Sequence, residues 1–354
     1  MRRLLLALLL ALCSIGLSAA YDPDTLTVTI LDVGQADAIL VQAPNGASML
    51  VDAAEPWNAS VVSACLTEEG IDRLAFAVGT HNHEDHIGGM VHVLPQVTVG
   101  QYVNSSMPPE TQWARELNAY IVDRGIPFRS VTAGDTIALD PANVTVTVLN
   151  PPPDPGTDAN EASVVLRLAF GTQSFLLAGD TGTTAEGWML ASNRTLASQF
   201  LKAGHHGASS STGAPFVSAV TPLIAVTTSG RVPSRDVPSQ SVVKRLQDSS
   251  AGVYSTAASG TVRITARRTG FEMETILGPE LPITVPGAAL PPTDPNFDGA
   301  FEDVNGNRRR DFADVVSLFN NLDWIAASEP VVRFDYNHNQ RMDFADVVLL
   351  FNTT

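Results

Sequence analysis

Three histidines and two carboxylates fall within six residues, His81-Asn82-His83-Glu84-Asp85-His86, directly behind the apolar run Leu74-Ala75-Phe76-Ala77-Val78. The run predicts a buried strand, and Gly88-Gly89 beyond the histidines predicts a tight turn. A loop at a strand end holds its side chains on a rigid frame. Imidazoles at i and i+2, with Asp-His at i+4 and i+5, suit one or two transition-metal ions, because imidazole and carboxylate are zinc-type ligands. A polar loop whose histidines cluster by chance is the poorer reading, since desolvating so many titratable groups with no cation among them is costly.

With 354 residues and 44% hydrophobic content, the chain has room for one large globular domain and a small one. A net charge of −16 argues against broad electrostatic binding to nucleic acid or anionic membranes, though not against a local basic cleft. Residues 1–20 carry the pattern of a secretory signal: Arg2-Arg3, an apolar core from Leu4 to Leu12, and Ser18-Ala19-Ala20 as a cleavage site. The apolar run is short for a spanning helix. The mature chain is therefore expected to be secreted, with no membrane span. Cys13 offers a lipoprotein alternative that the bulky Leu12 before it disfavours. Beyond the signal only Cys65 remains, so no internal disulfide can form, and its apolar setting Val61-Val62-Ser63-Ala64-Cys65-Leu66 makes it a small core residue.

In chain order, Leu26–Ile30 alternates as a half-buried strand and leads into Leu31 to Leu40; Pro44-Asn45-Gly46 is a turn, and Ser48–Val51 returns as a strand ending at Asp52. Asn58 is placed to cap a helix that Gly70 ends, and residues 108–124 predict an amphipathic surface helix. Strands follow at 144–148, 164–168 and 174–178, the last ending in Gly179-Asp180; another at 200–203 ends in Gly204-His205-His206-Gly207. Then come a strand at 223–226, a helix at 240–247 and hairpins from Val253 to Ile276. Many strands with interleaved helices predict an α/β fold, two sheets with helices outside. The hydrolase-like domain is expected over 21–278. Six prolines stiffen a linker over 279–296, and a second domain occupies 297–354.

That last segment is a repeat. Asp303, Asn305, Asn307, Asp311 and Asp314 recur as Asp335, Asn337, Asn339, Asp343 and Asp346, at loop positions 1, 3, 5, 9 and 12; Arg309 and Arg341 at position 7 can offer backbone carbonyls. This is the calcium-loop spacing of an EF-hand. Asp stands where Glu is usual at position 12, and Arg308 or Gln340 replaces the position-6 glycine, so the sharp turn must be made another way. The same apolar helix follows each loop, Val315–Phe319 and Val347–Phe351. The repeat resembles a type I dockerin, a small all-α module. The resemblance implies two bound Ca2+ and a cohesin partner on a scaffold or cell surface.

Three further pieces sit at strand ends behind the His81 loop: Asp52, Asp180 and His205-His206. Singly each is a weak signal; their order is specific. That order resembles the metallo-β-lactamase superfamily, a four-layer αββα sandwich of metal-dependent hydrolases. Within it the chain is similar to the hydrolase branch of ComEC-type competence proteins. The similarity is carried by Leu31-Asp-Val-Gly-Gln35-Ala-Asp37, Leu50-Val-Asp52, the His81 loop, Asn160-Glu-Ala-Ser163, Ala178-Gly-Asp180 and Leu201-Lys-Ala-Gly-His205-His206-Gly207.

The resemblance implies that His81 and His83 bind one metal, that Asp85, His86 and one of His205 or His206 bind a second, and that Asp180 bridges them. His206 is the preferred ligand, which leaves His205, with Asp85, as a candidate catalytic residue. Asp52 and Asp37 would orient ligands from behind. Zinc suits the set, with manganese or iron also admissible. A water activated between the metals would attack a phosphoester or a carbonyl carbon. Three departures stand out. No histidine precedes Asp180 to give the first metal a third imidazole, with Asn160 and Ser163 the only polar candidates; Ala36 and Ala54 replace glycines; and the histidine expected before Pro238 is Val237. The resemblance favours a phosphodiesterase or nuclease-like enzyme acting on a small-molecule phosphoester, nucleic acid being disfavoured by net charge. A carbonyl hydrolase of the same fold, or an inactive calcium-dependent binding module, are the alternatives.

Overall fold

The structure, a computed structural model, describes residues 22–230, 237–276, 285–288, 292, 300–307, 309–329, 331–339 and 341–354. The expected signal, most of the Pro-rich stretch and loop position 6 of both repeats lie outside the described residues.

Among the described residues, fifteen strands build two sheets. The first half of the chain supplies β1 (Leu26–Ile30), β2 (Ile39–Gln42), β3 (Ser48–Val51), β4 (Arg73–Gly79), β5 (Thr98–Asn104) and β6 (Phe128–Ser130). The second sheet is made by β7 (Thr136–Asp140), β8 (Val144–Asn150), β9 (Val165–Phe170), β10 (Gln173–Leu177), β11 (Phe200–Lys202), β12 (Ile224–Thr227) and β13 (Gly252–Ser255). The chain then returns to the first sheet through β14 (Thr261–Arg267) and β15 (Gly270–Ile276), in the order β15-β14-β1-β2-β3-β4-β5-β6.

Alternation decides which side chains meet between the sheets. In β14, Val262, Ile264 and Ala266 point inward while Arg263 and Thr265 face out. They join Val28, Val41 and Val51 from the first sheet, and Val146, Leu166, Phe175 and Val226 from the second, in one apolar layer. The outer face of the first sheet packs Leu50 and Leu74 against α1 (Ala59–Glu68), α2 (Glu84–Ile87), α3 (Met90–Val93) and α4 (Gln112–Asp123). The second sheet packs Leu176 and Leu201 against α5 (Thr183–Ala191), α6 (Ala214–Val220) and α7 (Gln240–Asp248). The result is a helix–sheet–sheet–helix sandwich.

Several expectations need correction. Residues 253–276 hold one hairpin, β14–β15; β13 pairs parallel with β12, and the short α8 (Thr256–Ser259) carries the chain between sheets. The helix expected from Pro108 starts at Gln112, because Thr111 caps it by accepting from the Ala114 N–H. Asn58 precedes α1 but makes no side-chain cap; its amide donates to the Val33 carbonyl instead. Gly88 and Gly89 have φ of −59° and −71°, ordinary helical values, so they make no tight turn. Gly89 is needed for proximity: a Cβ there would lie 2.0 Å from the Ala53 carbonyl oxygen. By contrast Ala54 sits at φ 62°, a left-handed conformation that costs a non-glycine residue about 1–2 kcal/mol.

The C-terminal segment forms α9 (Phe312–Asn320), α10 (Leu322–Ser328) and α11 (Phe344–Thr353) around Leu318, Ile325, Phe334 and Leu350. Position 9 of each loop doubles as a helix cap: Asp311 accepts from the Ala313 N–H and Asp343 from the Ala345 N–H. The sharp turn falls at position 4, where Gly306 has φ 66° and His338 φ 58°.

Replacing Gly89 by Ala should push the His81 loop off Ala53 and destabilise the sandwich by about 1–3 kcal/mol. Urea unfolding measures this, and an unchanged midpoint would contradict the close-approach reading.

Candidate metal centre

The site gathers at the carboxyl ends of parallel strands. β3, β4 and β5 run parallel, as do β10, β11 and β12. Asp52 follows β3, the His81 loop follows β4, Asp180 follows β10, His206 follows β11 and Thr228 follows β12. Backbone hydrogen bonds stitch these ends together: Asp37 N–H to the Asp85 carbonyl (3.1 Å), Ala53 N–H to His86 (2.7 Å) and His205 N–H to Gly179 (3.1 Å).

Asp85, His86, Asp180 and His206 bring one ligand atom each within 4.8 Å of one another. His86 Nε2 lies 3.2 Å from Asp180 Oδ1; His206 Nε2 lies 3.4 Å from Asp180 Oδ2 and 3.3 Å from Asp85 Oδ2. His81 stands beside them, its ring centroid 4.1 Å from that of His86 and 4.6 Å from that of His83. His81 Nε2, His86 Nε2, His206 Nε2 and Asp180 Oδ1 are buried with no hydrogen-bond partner. Buried polar atoms are almost always satisfied, and four orphans in one cluster fit a divalent metal whose ligands they would be. His81, His83 and Asp180 would hold one ion, and Asp85, His86, Asp180 and His206 another.

The far nitrogen of each buried ligand is held from behind. Asp52, fully buried, accepts from His86 Nδ1 at 2.7 Å and is itself fixed by the N–H (2.8 Å) and hydroxyl (2.7 Å) of Thr80. Thr228 donates its hydroxyl to Asp37 Oδ1 (2.6 Å), and the same hydroxyl meets His206 Nδ1 at 3.0 Å. Fixing the outer nitrogen fixes ring orientation and directs Nε2 inward. His205 is different. Its side chain is 33% exposed and its Nε2 reaches Asp180 Oδ2 only at 3.8 Å, so it lines the mouth. His205 and His206 both adopt left-handed φ, 47° and 54°, which turns their two rings apart. Of the two groups considered for the missing imidazole, Ser163 Oγ accepts from the Asp180 N–H (3.1 Å), while Asn160 Oδ1 is buried with no hydrogen-bond partner.

Lys202 was not singled out by the sequence. It is 1% exposed, donates to the Gly179 carbonyl at 3.0 Å and forms an ion pair with Asp37. Only its place one residue before the Ala-Gly-His-His turn hinted at the site.

The carboxylates govern the histidines. Burial alone lowers the pKa of His86 and His206, but Asp180 and its neighbouring carboxylates outweigh it and raise both well above the ordinary value. Burial raises Asp180 and Asp85, yet the paired histidines hold both below the usual carboxylate range. His81 is lowered, by burial and then by His86.

A sandwich of this kind with histidine and aspartate ligands at its strand ends defines a metal-dependent hydrolase fold. The chain belongs to the metallo-beta-lactamase superfamily, whose model matches residues 31–228. It is 29% identical over 255 residues to ComE operon protein 3 of Bacillus subtilis (strain 168), covering 67% of this chain and 32% of that protein. It is 27% identical over 269 residues to Competence protein ComA of Neisseria gonorrhoeae, covering 72% and 35%. The chain thus spans about a third of the length of these relatives. A solved structure, Igni18, a novel metallo hydrolase from Ignicoccus hospitalis KIN4/I, aligns at TM-score 0.45 and 17% identity, covering 68% of this chain and 98% of that one.

Metal binding competes with protonation of His86 and His206, whose pKa values are raised by the surrounding carboxylates. Their raised pKa values mean that zinc affinity should fall as pH is lowered and that binding should release protons. Calorimetry in buffers of different ionisation enthalpy measures the release; none at pH 6 would contradict the charge arrangement.

Proposed function

We propose that this protein is an exported, metal-dependent phosphodiesterase tethered through its C-terminal calcium repeat to a cohesin-bearing assembly. The carrying observation is the cluster of four buried orphan atoms on His81, His86, His206 and Asp180. Bound divalent metal supplies Lewis-acid chemistry, activating water and offsetting charge on the attacked ester. The protein's own part is positional. Asp52 and the Asp37–Thr228 pair hold the ligand rings, and Lys202 neutralises Asp37 behind them. Burial lowers the pKa of His205, which favours the neutral ring; from the mouth that ring can donate an N–H hydrogen bond to a phosphoryl oxygen. The preference for phosphoesters over lactones, esters or amides rests on the likeness to the competence proteins.

The tether is supported by matching loops. Asn305 N–H donates to Asp314 Oδ1 and Asn307 N–H to Asp303 Oδ1; Asn337 to Asp346 and Asn339 to Asp335 repeat both bonds. Past the loops, Phe312, Phe319, Phe344 and Phe351 are more than half exposed, an apolar surface suited to a protein partner. The rings meet crosswise, Phe312 with Phe351 and Phe319 with Phe344, each at 6.0 Å.

Zinc- or manganese-loaded protein, offered bis-p-nitrophenyl phosphate, single-stranded DNA and a lactone panel, should cleave the phosphodiester bis-p-nitrophenyl phosphate in preference to the lactones. Turnover of the carbonyl substrates alone would overturn the phosphoester assignment, and no turnover with metal bound would favour a binding module.

The calcium unit predicts a distinct pH response. Burial raises Asp314 from 3.8 to about 6, so its contribution to calcium-free stability is present below 3.8 and lost as pH rises through about 6. Without calcium the repeat should melt at a higher temperature at pH 4.5 than at pH 7.5; with calcium the order should reverse, the sandwich melting separately. Identical transitions with and without chelator would count against bound calcium.

A further inference from the structure

A cleft of about 260 Å3 opens beside the His81 loop. Asn82, between the two histidines of that loop, forms part of its wall, and its side-chain amide donates to the carbonyls of Pro108 (2.8 Å) and Met107 (3.3 Å), which also line it. The floor includes Tyr102 at the carboxyl end of β5, the edge at which the metal ligands gather. The cleft is therefore one residue away from the metal centre in the chain and shares its loop.

Its chemistry is distinctive for a chain of net charge −16: among the described residues, no charged side chain lines it. Phe128, on the short edge strand β6, lines the cleft, is 51% exposed overall and stacks on the buried Tyr102 at 6.1 Å and 24°. Asn104, Asn118 and Ser130 also line the cleft, the Ser130 hydroxyl donating to Asn104 Oδ1 at 3.3 Å and leaving the Asn104 and Asn118 amide N–H groups as donors. An exposed aromatic face bordered by neutral donors and acceptors suits a flat, uncharged ring with a hydrogen-bonding edge. Such a ring stacks by its face and is read at its edge.

Taking the phosphodiesterase reading as its premise, we propose that this cleft is a subsite for a nucleobase of the substrate, stacked on Phe128 while the attached phosphoester reaches the metal centre. A charged group is disfavoured there because no charged side chain lining the cleft would pair with it.

The test uses the full chain loaded with zinc and two esters that release the same nitrophenolate: thymidine 5′-(4-nitrophenyl phosphate) and methyl 4-nitrophenyl phosphate. Phe128→Ala should raise KM for the thymidine ester by about tenfold, the loss expected for one base–aromatic stack, and leave the methyl ester unchanged. Asn118→Asp, an exposed position, should do the same by placing a charge in the cleft. Equal effects on both esters, or none, would overturn the subsite. Thymidine alone, which carries no phosphate, separates the two claims in a calorimetric titration. Binding that Phe128→Ala abolishes, without cleavage of either ester, upholds the subsite and sinks the phosphodiesterase premise. Cleavage of both esters with no thymidine binding sinks the subsite and leaves the premise standing.

Discussion

Four carboxylates, those of Asp37, Asp52, Asp85 and Asp180, share one largely buried region, and the arrangement around them is a response to that crowding. Like charges brought together out of water repel strongly and lose hydration. Lys202 compensates Asp37, and His86 and His206 compensate the rest. The histidine nitrogens that face Asp180 make no good hydrogen bond to it, whereas those that face away do. That asymmetry is what a metal-binding cluster would require of its histidines.

The fold delivers this crowding because both sheets contain a block of parallel strands whose carboxyl ends carry the loops of the site. Parallel pairing forces long returns through helices, and those helices cover the outer faces. The loops are consequently short and fixed by backbone bonds to one another. Gly89 against Ala53 and Thr80 against Asp52 tie the His81 loop to the neighbouring strand end. A longer side chain at position 89 would open the gap that the metal ligands need closed.

Much of this was legible in the chain. The apolar run before His81, the Gly-Asp after β10 and the His-His after β11 each read as a strand ending in polar residues, and the structure brings them together. Lys202 was not legible, because in Phe200-Leu-Lys-Ala a lysine reads as a solvent-facing strand residue. β11 is central and covered on both faces, so the same lysine is buried. The Gly88-Gly89 pair was misread because sequence does not distinguish a glycine required for left-handed φ from one required for close approach. β13 was misread because a β-rich stretch gives no sign of which sheet it joins. β6 is a three-residue edge element with too little length for a period to show, whereas β7 alternates exposed and buried residues over its first four positions but lies in a polar stretch that reads as loop. In the repeat, spacing located the loops, but the position-4 turn is made by Gly306 in one copy and His338 in the other, and a histidine carries no such signal.

The account stands on one claim, that the inward nitrogens of these histidines are metal ligands. Anomalous diffraction at the zinc edge from crystals of reconstituted protein tests it most directly. It predicts one peak enclosed by Asp85, His86, Asp180 and His206, and a second beside His81 and His83. A crystal with no ordered peak there, and with His86 and His206 hydrogen-bonded to Asp180 instead, would contradict it.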